Sequence, residues 1–221
     1  MSKIIDLSHT IEHGMITYNG LPAPIICDYW TRESSKAHYT EGTTFQIGKI
    51  EMIANTGTYV DSPFHRYEDG KDLSELPLAS LADLEGAVFH ADQSKRAIGP
   101  DLFKGASVHG RAVLVHTGWA RHWRTDTYFE GHPYLTEASA RYLKEQGAAF
   151  VGIDSPNIDN IETGERPVHS VLLRADIPIC EHMCDLEKLP DGGFRFHAPP
   201  VKVKGLGSFP VRAYAAIEGN E

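Results

Sequence analysis

Cysteine is scarce: three residues in 221, an odd number that gives no disulfide framework. A reducing compartment, the cytoplasm, is the natural setting for such a chain. No apolar run approaches the roughly 20 residues of a membrane helix, so a membrane partner is not expected. Residues 1–10 carry a single lysine and no long apolar core, and no secretory signal is expected there. Basic clusters are also missing. With 30 acidic against 21 basic residues and a net charge of −9, nucleic acid is excluded as the main partner. The same sign disfavours strongly anionic substrates, unless a pocket reverses it locally. There is no Gly-x-Ser-x-Gly nucleophile elbow, no phosphate-cradling glycine loop with lysine, no internal repeat and no low-complexity tract.

What is present is ordinary in bulk and unusual in detail. A hydrophobic content of 41 % and a charged content of 23 % describe a soluble globular chain, long enough to bury a core without staples. Glycine and proline are spread throughout, which suits short strands joined by turns. The patterning predicts strands at Thr43–Ala54, Val88–Ala91, Ala112–His116, Ala148–Ile153, Ile177–Glu181, Phe194–His197 and Val211–Ile217. It predicts one clear helix at Glu137–Gln146, with Thr136 as its N-cap and Gly147 just past its end. Shorter helices are predicted at Leu78–Leu84 and Pro100–Phe103. Strands outnumber helices, so the expectation is one α/β domain over residues 1–221, built on a strand-rich mixed sheet with a few flanking helices. Residues 11–39, rich in turns and aromatics, are expected to form an arm or flap with little helix or sheet of its own.

Twelve histidines in an acidic chain raise the prospect of metal or acid–base chemistry. The densest stretch is Asn55-Thr56-Gly57-Thr58-Tyr59-Val60-Asp61-Ser62-Pro63-Phe64-His65. It sets a carboxylate and an imidazole four residues apart across a proline, after a glycine turn. Both groups ligate divalent metals, although an aspartate cap and a core histidine would leave the same spacing. Further along, His169 follows Pro167, and an apolar run leads into Glu181. A buried ionised glutamate requires a partner or a cation, whereas one at a strand end can face water. Cys180, His182 and Cys184 would share one face of a strand. Their spacing is too tight for a zinc site, and a buried Cys180 acting as a small hydrophobe is the better reading.

The long stretch resembles the motif His-x-Gly-Thr-His-x-Asp-x-Pro-x-His of the cyclase-like family of metal-dependent hydrolases, which includes kynurenine formamidase and isatin hydrolase. Ile5-Asp6-Leu7-Ser8-His9, Thr117-Gly118-Trp119, Gly152-Ile153-Asp154-Ser155-Pro156, Pro167–His169, Ile179-Cys180-Glu181 and Pro210-Val211-Arg212-Ala213 also match, in the family's order. The resemblance implies a barrel-like or swivelling β/β/α core and a homodimer or homotetramer. It implies Asp61, His169 and Glu181 as ligands of one divalent metal, Zn or Mn, and His65 as acid–base. Asn55 and Tyr59 stand where two family ligand histidines belong, so one metal site is lost or weakened, and Tyr59 is expected instead to donate a hydrogen bond to a developing oxyanion. Tyr18 and Trp119, with Asn55, are expected to line the pocket. The function implied is metal-dependent hydrolysis of a small-molecule amide, formamide, lactam or lactone. The alternative is a metal-free binding protein, or a cyclase or isomerase using Tyr59 and His65.

Overall fold

The computed structural model describes residues 3–217 and residue 219. In chain order its strands are β1 (Lys3–Asp6), β2 (Ile25–Trp30), β3 (Ile47–Glu51), β4 (Tyr59–Asp61), β5 (Leu84–His90), β6 (Ala97–Ile98), β7 (Ala112–His116), β8 (Tyr134–Leu135), β9 (Phe150–Ile153), β10 (Ile179–Glu181), β11 (Gly192–His197), β12 (Ser208–Pro210) and β13 (Tyr214–Ile217). The α-helices are α1 (Arg32–Ser35), α2 (Glu137–Glu145) and α3 (Pro167–Leu173). Nine strands make one mixed sheet in the order β1-β13-β11-β5-β7-β9-β10-β4-β12, curled into a half-barrel.

The sheet's centre is parallel, β5 to β7 to β9 to β10. Parallel strands are covered on both faces and read as unbroken apolar runs. Ala112 to Val115 fit that description, since all four are fully buried. One face packs against α2 and α3 through Ala140, Leu143, Val168 and Leu172, and the other against Leu73, Leu76, Phe194 and Phe196. The outer strands are antiparallel, and β4 lies between β10 and β12.

The expected α/β domain with a strand-rich mixed sheet is observed, with several local differences. The strand expected over Thr43–Ala54 is reduced to β3, and β3 pairs with β2 inside the supposed arm. That arm therefore has a strand and a one-turn helix of its own, against expectation. It also divides in two. Met15 and Thr17 are buried against the domain, whereas the β2–β3 ribbon leaves Ile25, Tyr29 and Ile50 exposed. The helix expected at Leu78–Leu84 is a single 3-10 turn over Leu78–Ser80, because Leu84 already belongs to β5. Pro100–Phe103 is likewise 3-10. The expected shared face of Cys180, His182 and Cys184 does not form: β10 ends at Glu181, and His182 turns the chain with φ at 54°. Cys180 is fully buried in the core beside Val60, as a small hydrophobe would be.

Candidate active site

Residues two apart on a strand share a face, and directly paired residues on neighbouring strands point the same way. In β4, Tyr59 pairs with Glu181 and Asp61 pairs with Ile179. Across the other edge, Asp61 pairs with Ser208 of β12. This register places Tyr59, Asp61, Glu181 and Ser208 on one face. Gly57 introduces β4 with φ at 67°, and a Cβ there would lie 2.9 Å from Ile11 Cγ1. Its N–H donates to Thr17 Oγ1 at 3.0 Å, which ties residues 11–18 to the motif. After β4, Pro63 begins a 3-10 turn that carries His65.

His169 comes from α3, whose first residue is Pro167, a position that needs no N–H partner. Asp159 fixes the imidazole. It accepts from Val168 N at 2.8 Å and His169 N at 3.0 Å, and its Oδ2 lies 2.7 Å from His169 Nδ1. This leaves His169 Nε2 facing 3.6 Å to Asp61 Oδ2 and 3.5 Å to Glu181 Oε1. Donors held about 2.1 Å from a tetrahedral Zn²⁺ sit about 3.4 Å apart, and His169 Nε2 keeps close to that spacing from one oxygen of Asp61 and one of Glu181. Asp61 Oδ2 is buried without a hydrogen-bond partner. A buried carboxylate oxygen left bare is costly unless a cation completes it. The donor set therefore fits a divalent metal. Among the described residues the group whose donor atoms all lie within 4.8 Å of one another is Asp61, His65 and His169, which includes His65 and not Glu181.

Glu181 is fully buried and fully engaged. Oε1 accepts from Ile158 N at 2.6 Å, and Oε2 accepts from the Tyr59 hydroxyl; the Tyr18 hydroxyl lies 3.3 Å from Oε2 and makes a shorter donation to Pro156 O. The two tyrosine hydroxyls lie 2.9 Å apart, and Asn157 Nδ2 donates to Tyr18 at 3.2 Å. The Tyr59 hydroxyl, expected as a donor to a substrate oxyanion, here donates to Glu181 and orients that carboxylate. Tyr18, read as a pocket wall, places its hydroxyl beside that carboxylate while bonding Pro156 O. Asn55 lies half-buried in the turn before β4, and among the described residues its side chain makes no hydrogen bond to this group. Trp119 is anchored elsewhere, its Nε1 donating to Tyr128 O at 3.0 Å. The matching Thr117-Gly118 and Asp154 segments form a structural clamp, with Asp154 accepting from Thr117 N, Thr117 Oγ1 and Gly118 N.

Ser208 joins two members of the group, donating to Asp61 Oδ1 and lying 2.8 Å from His65 Nδ1. The His65 side chain is 36 % exposed, unlike its neighbours, and can meet an incoming molecule. A cavity of about 80 Å³ opens there, lined by His65, Arg66, Asn157, Arg166 and His169. Asn55, Tyr18 and Trp119, expected as pocket walls, are not among the residues lining that cavity. The sequence reading missed Asp159 and Ser208. Asp159 lies in the turn-rich Pro156–Asn160 segment ten residues before His169, and nothing in the sequence marks Ser208.

Charge and burial act together on the cluster. Burial alone would lower His169, but Glu181, Asp159 and Asp61 outweigh it and hold the imidazole up at about 10. Burial raises Glu181 to about 7, with His169 pulling it down and Asp61 pushing it up. Burial and the charge of Glu181 raise the Tyr59 hydroxyl well above the ordinary phenol range.

Residues 5–160 match the family model described as "Putative cyclase". A curated relative, kynurenine formamidase of Geobacillus thermodenitrificans (strain NG80-2), is 30 % identical over 215 residues, covering 96 % of this chain and 97 % of that protein. Among solved structures, a potential metal-dependent hydrolase with cyclase activity superposes with a TM-score of 0.81 at 24 % identity, covering 100 % of both chains. Isatin hydrolase A from Labrenzia aggregata, bound to benzyl benzoate, superposes with a TM-score of 0.84 at 19 % identity, covering 99 % of this chain and 94 % of the other.

Proposed function

The chain belongs to the cyclase family, and from that premise we propose that it hydrolyses the C–N bond of a small-molecule amide, formamide or lactam with one divalent metal, Zn or Mn. The observation that carries this reading is the buried, unpartnered Asp61 Oδ2 facing His169 Nε2. Asp61, His169 and Glu181 would hold the ion. When bound, it supplies Lewis-acid polarisation and a water acidified toward a pKa of about 7. The kynurenine formamidase relative supports a formamide-type substrate. A metal-free binding role would leave Asp61, Asp159 and Glu181 crowded around a single imidazole.

In this scheme the chain's residues position groups and move one proton. Asp159 locks His169 with Nε2 inward. Tyr59 and the Ile158 N–H fix Glu181. Ser208 holds His65 Nδ1, leaving Nε2 to exchange the proton. Hydrolysis adds the elements of water across the C–N bond, and His65 returns a proton to the departing nitrogen.

Among the described residues no helix is long and apolar enough to cross a membrane, and a cytoplasmic setting suits the free cysteines. An isolated two-stranded ribbon is marginal in water. The exposed apolar side chains of β2–β3 would therefore pack on a second copy in a homodimer or homotetramer.

His65→Asn tests the assignment. Turnover of a formanilide-type substrate should fall by roughly a hundredfold or more while metal content, read by elemental analysis, stays at one ion per chain. Loss of the ion in this variant would make His65 a ligand, the role its closeness to Asp61 and His169 permits. Unchanged turnover with the ion retained would remove it from the reaction.

A further inference from the structure

We infer that the substrate carries a carboxylate, held by Arg66 and Arg166 at the mouth of the site. This inference rests on the hydrolase reading above and names the substrate class. Both arginines line the cavity of about 80 Å³ beside His65 and His169. Seven of the nine other arginines each hold an acidic partner within 2.9 Å, Arg32 and Arg121 being the exceptions. Among the described residues neither Arg66 nor Arg166 has one, in a chain whose net charge is −9. Acidic side chains are plentiful, so two unneutralised guanidiniums at one small cavity set its local sign against that of the whole molecule.

Both side chains are held by neutral groups that leave their charge intact. Arg166 Nη1 donates to the carbonyls of Asn160, Thr163 and Glu165 at 3.2, 2.8 and 2.7 Å. Arg66 Nε donates to Ser170 Oγ at 3.3 Å, and its guanidinium lies 5.4 Å from the Tyr67 ring centroid. Nε and Nη2 of Arg166 and both Nη of Arg66 have no acceptor among the described residues. A planar carboxylate takes two parallel N–H bonds from such a fork, and pre-positioned forks lose little freedom on binding. The cavity's size suits a reacting group of a few atoms, with the rest of the substrate outside.

The test pairs an anionic with a neutral probe on the metal-loaded protein. Rates are measured for 2-formamidobenzoate against formanilide, and calorimetric affinities for benzoate against benzamide. The parent should favour the anion at least roughly tenfold in both kcat/KM and Kd, the scale of a charged hydrogen bond. In Arg66→Gln/Arg166→Gln both ratios should collapse toward one, with the change seen mainly in KM. Arg66→Gln alone, on an exposed side chain, should show a partial loss and guards against a misfolded double variant. A parent without anion preference, or a preference that survives the double change, overturns the inference even if formanilide is hydrolysed. Benzoate preference lost in the variants upholds the anion site even if neither formamide is cleaved, and in that case the hydrolase reading falls by itself.

Discussion

Asp159 occupies one whole side of His169, accepting two backbone N–H groups of α3 and meeting the ring at Nδ1. A carboxylate behind a ligand histidine sets its tautomer and raises its basicity, and removing such a partner typically costs 10–100-fold in metal affinity. Asp159→Asn keeps the shape and one acceptor. It should weaken Zn²⁺ binding by roughly tenfold or more, measured by competition with a chromophoric chelator, while far-UV circular dichroism stays unchanged. Unaltered affinity would reduce Asp159 to a helix cap. At this scale Asp61, His65, His169 and Glu181 could be singled out because their residue types are intrinsically ligating and sit in recognisable local patterns, and the fold brings them side by side. Asp159 and Ser208 could not, because their roles depend on which residues the fold brings opposite them. Tyr59 shows the same limit: a sequence shows a hydroxyl but not the neighbour it meets, here Glu181.

The 3-10 turn that carries His65 is clamped from both sides. A Cβ on Gly207 would fall 2.5 Å from His65 Cα and N, and one on Gly70 would fall 2.6 Å from Pro63 C. These are backbone atoms, which cannot swing aside as a side-chain tip can. Gly207→Ala should therefore displace the turn, and a misplacement near 1 Å can cost roughly a hundredfold in rate. Thermal unfolding should report a loss of about 1–3 kcal/mol from the overpacking. Gly205→Ala is the control. Its position has φ at 77° but open space around the added carbon, so it should lose stability without a comparable fall in turnover. Equal turnover effects in the two variants would argue against a clamp. Elements with strong patterns were readable in advance: α2 from its Thr136 cap and Gly147, and the parallel strands from their apolar runs. β4 was missed as a strand because three residues beside a glycine turn carry too little pattern. α3 was missed because its seven residues, two of them valine, read as apolar chain until the sheet supplies a surface for Val168 and Leu172.

Taken whole, the molecule packs several histidines into its interior in the neutral form, and this sets its acid limit. His9 stacks on Trp123 with ring centroids 4.0 Å apart, its Nε2 buried without a partner. Burial lowers its pKa from 6.5 to about 4, against a smaller upward pull from Asp185. Burial likewise lowers His132. A group whose folded pKa is depressed leaves the unfolded chain binding more protons, so its contribution to stability is complete above about 6.5 and is lost as pH falls toward 4. Glu181, raised to about 7, works in the opposite direction over part of that range, so the parent's total curve mixes the two. Comparison with His9→Phe, which keeps the stacking on Trp123 and removes the titration, separates them. The stability difference between parent and variant should be constant above pH 7. It should then shift against the parent by on the order of 3 kcal/mol as pH falls to 4, since each pKa unit corresponds to about 1.4 kcal/mol. Urea unfolding at fixed metal concentration would read this shift. A difference that stayed flat from pH 7 to 4 would mean that His9 takes up its proton in the folded state without penalty, and the acid limit would then have to lie with other groups.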